Sequence, residues 1–355
     1  GGGGGDSGDG GGRGNGLRMA HVVNLLPLAA GHHSDQEVTI ASLVNARDYA
    51  LENDGPSVEL FSAEFGDEES VPRDTSVVKP TAPLQRSAYE LYGLQNFDIK
   101  KKRLPLIADI LASVYEESDA EYIVYSNSDI GLQPEFYNFV ATSVKGDPMK
   151  AVAVNRVEIP LGKGQEYTAE SMDLIYQLGR SNPQLHKGYD CFVFSRRLVP
   201  MLRLYLRSSF VGYPPIGQVF KEALDCIAGD FRVVKSKHYT FHLGARNGGW
   251  GEETEYEFYN RKAARQGEAD FVDIVMGGAG GKALVKGSAP FTNKDKACKR
   301  AKQAVENPHG ELASRIETEL KARSFVFPKY PTKPEWQVAY EAEHGELALA
   351  SPEPE

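Results

Sequence analysis

Cysteine is scarce in this sequence, with three residues among 355. Cys191, Cys226 and Cys298 are too few and too far apart for the disulfide framework of a small secreted domain. No pair of them has the Cys-x-x-Cys spacing of a zinc or redox site. We therefore expect three reduced thiols, placed in the core or at the surface.

The sequence also has no long hydrophobic run and no excess of positive charge. Its most apolar stretch near the start, residues 22–30, is broken by Asn24 and Pro27. It is shorter than the roughly 20 residues that a membrane helix needs, so no membrane segment is expected. Lys and Arg number 40 against 49 Asp and Glu, which gives a net charge of −9 with the basic residues dispersed. This pattern argues against a partner made of duplex nucleic acid.

Acceptor sites for N-glycosylation, Asn-x-Ser/Thr, are absent as well. Their absence favours a soluble, cytoplasmic protein over a secreted one. A lumenal location after loss of an upstream anchor stays open, because the sequence begins with glycine.

The remaining composition is that of a globular protein, 41% hydrophobic and 25% charged, and supports a sizeable core. Eleven of the 36 glycines fall in the first 16 residues, where almost no apolar side chain offsets the entropy of ordering the backbone. We therefore divide the chain into a flexible linker (1–18), a folded domain (19–266), a Gly-rich loop with a helical extension (267–327) and a Pro-rich acidic tail (328–355).

Short β-like runs alternate with helical segments along the folded domain. An apolar run over residues 21–28 is followed by Ser34 and Glu37, whose spacing is that of a capping box and predicts a helix to about Leu51. A second β-like run covers residues 57–65 and completes a βαβ opening. The sustained alternation predicts an α/β fold with a mostly parallel sheet flanked by helices.

Two oxygen-bearing side chains leave one predicted strand together. Asn127 and Asp129 follow the apolar run 122–126, two positions apart. Ligands of open α/β sheets bind at the carboxyl ends of the strands, and paired oxygen ligands suit Mg²⁺ or Mn²⁺. A plain strand-terminating turn is the alternative, because Asn, Ser and Asp are common turn residues.

A basic cluster, residues 100–103, precedes a predicted helix. Free backbone N–H groups and the helix dipole at such a position favour an anion, and the planar fork of Arg103 suits phosphate oxygens. Asn24, at the end of the first predicted strand, is a candidate to hydrogen-bond a nucleotide base or ribose. A solvated basic cluster and a strand-breaking asparagine are the corresponding alternatives.

Four segments together carry a family resemblance. The segment 127–130 with its following Pro134, Phe136 and Tyr137 resembles the Asp-x-Asp region of nucleotide-sugar-dependent glycosyltransferases of the GT-A fold. Three further segments agree in order and spacing: 187–194 (KGYDCFVF), 213–217 (YPPIG) and 240–244 (TFHLG) with Trp250 downstream. The resemblance spans roughly residues 20–260 and implies a GT-A, Rossmann-like catalytic domain. The sequence departs from the family at Asn127, where Asp is more usual.

The resemblance implies a set of site residues. Asp129 would be the main ligand of Mn²⁺ or Mg²⁺, and Asn127 would face the ribose or the metal shell of a nucleotide-sugar donor. A second metal ligand is usual from the C-terminal side of such domains, and His242 stands where it is expected, with imidazole a suitable ligand for Mn²⁺. His238, four residues earlier, would face the same side of an extended segment, so the choice between the two histidines stays open.

Asp190 is the candidate for the chemical step. It opens the predicted strand 191–194, beside Gly188, which permits close approach of the backbone to a ligand. In an inverting transfer, Asp190 would take the proton of the acceptor hydroxyl as that oxygen attacks the anomeric carbon. In a retaining transfer it would orient the acceptor instead, and a carboxylate that caps a turn is the structural alternative.

The predicted function is a metal-assisted glycosyltransferase that moves a sugar from a nucleotide-diphosphate donor, a UDP- or GDP-sugar, to a carbohydrate or glycoconjugate hydroxyl. A non-catalytic nucleotide-sugar-binding protein is one alternative, favoured by Asn127. A sugar nucleotidyltransferase is another, although no Gly-rich basic loop follows the first strand.

Two further features complete the prediction. Tyr189 and Trp250 offer flat faces to a sugar ring, with core packing as the alternative. The Gly-rich stretch 277–282 matches neither a phosphate-binding loop nor a dinucleotide fingerprint, because the required glycine and Ser/Thr positions hold other residues. We expect a mobile loop there, one that could close over a bound donor.

Overall fold

A computed structural model describes residues 16–30, 33–94, 101–161, 166–181, 186, 188–235, 238–244, 254–277 and 291–322. Several predictions fall outside these residues: most of the N-terminal linker, Lys100, Trp250, the Gly-rich loop beyond Gly277 and the C-terminal tail.

Ten strands and ten helices follow one another along the described chain. The strands are β1 (Arg18–Asn24), β2 (Ser57–Ala63), β3 (Val78–Pro80), β4 (Tyr122–Asn127), β5 (Ile130–Leu132), β6 (Lys150–Val154), β7 (Arg156–Ile159), β8 (Cys191–Ser195), β9 (Asp230–Val234) and β10 (Thr240–Leu243). The helices are α1 (His33–Glu52), α2 (Ala88–Leu91), α3 (Ile107–Glu117), α4 (Phe136–Val144), α5 (Met172–Ser181), α6 (Val199–Tyr205), α7 (Ile216–Ile227), α8 (Thr254–Met276), α9 (Phe291–Glu306) and α10 (Glu311–Ala322).

Seven strands form the main sheet in the order β3-β2-β1-β4-β8-β6-β9. All neighbours pair in parallel except β8, which runs antiparallel to both β4 and β6. The predicted α/β fold with a mostly parallel sheet is therefore confirmed. A second sheet of three short strands, β5-β10-β7, lies beside it.

The central strands are apolar on both faces because helices cover both sides of the sheet. In β1, six of seven residues are buried, and β4 and β8 are buried almost throughout. Such continuous apolar runs are typical of parallel sheets rather than of half-exposed hairpins. The predicted first strand extends to residue 28, but β1 ends at Asn24, whose side-chain amide donates to the Ala63 carbonyl at 2.9 Å. Pro27, which has no N–H for a strand ladder, follows.

The carboxyl ends of the parallel strands meet at one edge of the main sheet. There β1 ends at Asn24, β2 at Ala63 and β4 at Asn127, while the antiparallel β8 begins at Cys191. Ligands of open α/β sheets bind at this edge.

The C-terminal helices pack on the core of the main sheet. Phe271 and Ile274 of α8 and Ala301 of α9 belong to the same buried cluster as Phe192 and Phe220. The position between residues 266 and 267, where the sequence predicted a domain boundary, lies inside α8. That division stays a prediction.

A disulfide joins α7 to α9 through Cys226 and Cys298, whose Cα atoms are 4.9 Å apart. The prediction of reduced thiols is wrong for these two residues. Their separation of 72 positions hid the pairing, because only the packing of α9 against α7 brings them together. Cys191 is free and buried in β8, as predicted.

Among the described residues, no helix combines the length and the apolar character needed to cross a membrane.

Candidate functional site

Three predicted site residues share the carboxyl edge of the main sheet. Asn24 of β1 pairs in register with Asn127 of β4. The Asn127 backbone N–H donates to the Asp190 carbonyl at 3.1 Å, just before β8 begins. Neighbouring strands therefore bring the three residues, which are far apart in sequence, to one place.

The small sheet adds two more predicted residues. His242 of β10 lies opposite Ile130 of β5, which places it beside Asp129. The His242 Nε2 atom is 3.2 Å from the Asp129 Oδ2 atom. On its other side, His242 is in register with Glu158 of β7, and its Nδ1 atom is 2.7 Å from Glu158 Oε2. The structure thus joins His242 to Asp129; for His238, no contact with Asp129 is present among the described residues.

The two carboxylates stabilise a protonated imidazole between them. Burial by itself would lower the pKa of His242, but the hydrogen bonds to Asp129 and Glu158 outweigh it and raise the pKa to about 9. Burial would likewise raise the pKa of Glu158, but the hydrogen bond and charge of His242 and the charge of Arg156 lower it to about 2. Burial would raise the pKa of Asp129 as well, but the hydrogen bond and charge of His242, together with the charge of Arg156, outweigh it and lower that pKa.

The donor set at Asp129 is compatible with a divalent cation. The Asp129 Oδ1 atom is shielded from solvent and has no hydrogen-bond partner among the described residues, although the side chain as a whole is 46% exposed. An unpartnered carboxylate oxygen beside the Nε2 atom of His242 suits Mn²⁺ or Mg²⁺ once that nitrogen has lost its proton, because only a neutral imidazole nitrogen can be a metal ligand. Glu158 at Nδ1 matches the outer carboxylate that commonly orients a metal-ligating histidine. The described residues contain no group of three or more His, Cys, Asp or Glu side chains placed to share one metal ion.

Asp190 is held at both carboxylate oxygens. Its Oδ1 atom accepts a hydrogen bond from the Asn127 Nδ2 atom at 3.0 Å, and its Oδ2 atom is ion-paired with Arg156. The Tyr125 hydroxyl donates to the Asn127 Oδ1 atom at 3.0 Å. Asn127 therefore connects the interior of the sheet to Asp190, and whether it also faces a ribose or a metal stays a prediction.

Three residues that were not predicted from the sequence complete the cluster: Arg156, Glu158 and His186. Arg156 donates from Nε to Glu158 Oε1 at 2.9 Å. Its Nη2 atom is 3.4 Å from the His186 Nε2 atom. The residues R-V-E-I of β7 alternate polar and apolar side chains, so the period of two could have placed Arg156 and Glu158 on one face. A strand of four residues directly after another strand is too short to stand out.

The loop before Asp190 is tied to the end of β6. The Asn155 amide donates to the carbonyls of His186 and Gly188 at 2.8 and 3.2 Å. The Gly188 N–H donates to the His186 Nδ1 atom at 2.8 Å, which places the proton of a neutral ring on Nε2. Burial, with the charge of Arg156 added, lowers the pKa of His186.

Arg103 lies apart from this cluster. Its Nη1 atom is 2.6 Å from Asp67 Oδ1 and 3.3 Å from Glu68 Oε1, and its guanidinium lies over the Phe65 ring, 4.2 Å from the ring centroid. Two carboxylates thus already compensate the charge that the sequence assigned to a diphosphate. The role of Arg103 toward a donor stays a prediction, as does that of Asn24.

A cavity of about 920 Å³ lies at the opposite edge of the main sheet. It is lined by residues at the amino ends of β1 and β4, including Leu17 and Tyr122, and by Tyr115, Lys145 and Arg196. None of the predicted site residues lines it. We place the candidate site at the carboxyl edge, because the convergent charged groups lie there.

Comparisons with known proteins yield structural likenesses only. No protein-family model matches the chain, and no curated protein matches it. Among solved structures, TarS of S. aureus in complex with UDP-GlcNAc is 12% identical, with a TM-score of 0.42 over 92% of this chain and 80% of that chain. Glucosyl-3-phosphoglycerate synthase of M. tuberculosis is 12% identical, with a TM-score of 0.34 over 71% of this chain and 79% of that chain.

A second structure of that synthase, in complex with Mn²⁺, UDP and phosphoglyceric acid, is 16% identical, with a TM-score of 0.34 over 71% and 76% of the two chains. Because every one of these TM-scores is below 0.5, these likenesses establish no shared function.

Proposed function

We propose that the chain is a glycosyltransferase that moves a sugar from a nucleotide-diphosphate donor to an acceptor hydroxyl. One observation carries the proposal. At the sheet edge, Asp129 and His242, a pair of side chains that could bind a divalent cation, lie near Asp190, a carboxylate held at both oxygens. Transfer of a glycosyl group needs both, because negative charge develops on the leaving diphosphate while the acceptor hydroxyl loses its proton.

On the donor side, Asp129 and His242 would hold Mn²⁺ or Mg²⁺, with Glu158 orienting the imidazole. The bound cation would supply positive charge to the diphosphate. We assign a UDP- or GDP-sugar as donor, with Asn24 and Arg103 as candidate donor contacts.

On the acceptor side, Asp190 would accept the proton of the attacking hydroxyl. A bond forms between the acceptor oxygen and the anomeric carbon, and the bond from that carbon to the diphosphate oxygen breaks. The nucleoside diphosphate leaves with the bonding electron pair. This assignment describes an inverting transfer; in a retaining transfer, Asp190 would orient the acceptor instead. The acceptor class is a carbohydrate or glycoconjugate.

A non-catalytic nucleotide-sugar-binding protein is the second candidate. It is favoured by the ion pair of Asp190 with Arg156, because this pair already neutralises the carboxylate that would act as the base in transfer. Donor binding without transfer or hydrolysis would support this candidate over the first.

The first experiment is a thermal-shift screen against UDP-, GDP-, CMP- and dTDP-sugars, each with Mn²⁺ and with EDTA. A ligand that binds only the folded protein raises its melting temperature, by an increment that grows with ligand concentration over Kd. We expect one donor class to raise the melting temperature only when Mn²⁺ is present. No shift with any donor, in a protein shown to be folded, would contradict the proposal.

Replacing Asp129 tests the donor side. Asp129→Ala removes the unpartnered Oδ1 oxygen and one partner of His242, so we expect the Mn²⁺-dependent part of the donor shift to disappear. Asp119→Ala, a change at an exposed carboxylate on the opposite edge, is the control and should keep the shift. If Asp129→Ala kept full donor-dependent activity, the assignment of Asp129 as a metal ligand would be wrong.

Replacing Asp190 tests the acceptor side. Asp190→Asn keeps the size of the side chain but cannot accept the hydroxyl proton, so we expect unchanged donor affinity and a loss of transfer of about 100-fold or more. The measurements are donor titration by calorimetry and transfer to a panel of carbohydrate acceptors. Normal turnover of Asp190→Asn would exclude Asp190 as the base.

A further inference from the structure

Arg156 occupies the centre of the site and touches both of its halves. It is the first residue of β7, and its side chain is 13% exposed. One edge of the guanidinium meets Asp190, and its Nε atom donates to Glu158 at 2.9 Å. Glu158 in turn contacts His242, so one arginine connects the acceptor side to the donor side.

An arginine in a site for a nucleotide diphosphate would ordinarily be assigned to the phosphates. The contacts of Arg156 argue otherwise. Two carboxylates, Asp190 and Glu158, already compensate its single charge. A phosphate that took the place of either carboxylate on the guanidinium would leave that partly buried carboxylate without its counter-charge, which is unfavourable.

We infer that Arg156 is a positioning residue for transfer and does not bind the donor phosphates. The inference rests on the proposed function. Arg156 acts through Asp190: together with the Asn127 amide, it fixes both carboxylate oxygens and so holds one rotamer of the side chain. A general base must be held within a fraction of an ångström of its productive position, and a displacement of about 1 Å can cost about 100-fold in rate.

The path of the loop before Asp190 does not depend on the Arg156 side chain. The His186 N–H donates to the backbone carbonyl of Arg156 at 3.0 Å, and the Asn155 amide binds the carbonyls of His186 and Gly188. The Asp190 carbonyl accepts from the Asn127 N–H. Substitution of the Arg156 side chain therefore removes the hold on the carboxylate while these backbone contacts keep the loop in place.

The test compares Arg156→Gln, Arg156→Lys and Arg156→Ala with the unmodified chain, with donor Kd in Mn²⁺, kcat and acceptor KM measured for each. We expect Arg156→Gln to lower kcat about 100-fold while donor Kd changes less than about threefold. Arg156→Lys should recover part of kcat, because an ammonium reaches one of the two carboxylates but cannot bridge both. Added guanidinium, at concentrations that do not unfold the protein, should partly rescue Arg156→Ala.

Arg180→Gln is the matched control. Arg180 of α5 forms an exposed ion pair with Glu135, at 2.7 Å. Its loss should leave kcat and donor Kd unchanged. In an Asp190→Asn background, Arg156→Gln should add little further loss of kcat, because Arg156 affects transfer through Asp190 while Glu158 keeps its own contact with His242.

Several results would overturn the inference. One is a rise of tenfold or more in donor Kd with kcat preserved in Arg156→Gln, which would show a phosphate contact. Normal turnover of that variant would show no role. If Arg156→Gln does not fold, the inference is tested by kcat of Arg156→Lys and by the guanidinium titration of Arg156→Ala. If kcat is recovered in neither experiment, the inference is wrong. Failure of the proposed function is a separate result: the unmodified chain would then neither bind a donor nor transfer a sugar, and the role of Arg156 would fall with it.

Discussion

His21 shows how one buried polar side chain links stability to pH. It lies in β1 with 1% of its surface exposed, and its ring nitrogens meet the Tyr137 hydroxyl at 2.7 Å and the Ser126 hydroxyl at 2.9 Å. Burial lowers the pKa of His21 from 6.5 to about 3, so the folded protein holds it neutral. The unfolded chain binds a proton between these two values, so the contribution of His21 is complete above pH 6.5 and falls as the pH drops toward 3.

We therefore expect acid to destabilise the unmodified protein more than His21→Gln. Between pH 7 and pH 4.5, the free energy of unfolding should fall by about 2 to 3 kcal/mol more in the unmodified protein, since each pKa unit corresponds to about 1.4 kcal/mol. Urea unfolding of both proteins at the two pH values measures the difference. Parallel losses in the two proteins would show that His21 is not held neutral.

At the scale of elements, the start of α7 is pressed against the loop that carries Asp190. A Cβ atom on Gly217 would lie 2.2 Å from the Tyr189 carbonyl oxygen, so only glycine permits this approach. One turn later, the Phe220 ring stacks on Phe192 at 4.3 Å and on Tyr125 at 5.7 Å. The helix thus supports β8 and β4 immediately below the site.

Gly217→Ala should push α7 away from Tyr189 and displace the neighbouring Asp190. We expect a loss of stability of about 1 to 3 kcal/mol, typical of an added methylene in a packed site, and a larger loss of transfer than of donor binding. Thermal unfolding and transfer assays measure both effects. Gln218→Ala, at the exposed neighbouring position, is the control; equal behaviour of the two variants would contradict the role given to Gly217.

At the scale of the whole molecule, the disulfide fastens the C-terminal helices to the domain that holds the site. Cys226 and Cys298 close a loop of 72 residues between α7 and α9. Closing a loop of this length restricts the unfolded chain and is worth roughly 4 kcal/mol in the chain-entropy model.

We expect reduction to lower the melting temperature by several degrees, and Cys298→Ser to lower it equally. Thermal unfolding with and without dithiothreitol measures the first effect, and thiol titration under denaturing conditions should count one free thiol before reduction and three after it. Cys191→Ser, which leaves the disulfide intact, should keep its sensitivity to reductant. Three free thiols in the oxidised protein would contradict the disulfide.

The amino-acid sequence alone determined the alternation of strands and helices and the α/β class, because periodicity and caps act over a few residues. It also indicated Asn127 and Asp129 as a site, since polar residues at a strand end stand out against an apolar run, whereas Asp190 and His242 were predicted together with the family resemblance. Those roles remain predictions, but the side chains do converge.

Only the tertiary structure decided the contacts among them. The pairing of β7 with β10 placed Glu158 beside His242, 84 positions away, and Arg156 met Asp190 across 34 positions. The packing of α9 on α7 joined two cysteines that the sequence left apart. Such contacts depend on strand register and helix packing, which are set by the whole core. A local pattern of residues therefore cannot predict them.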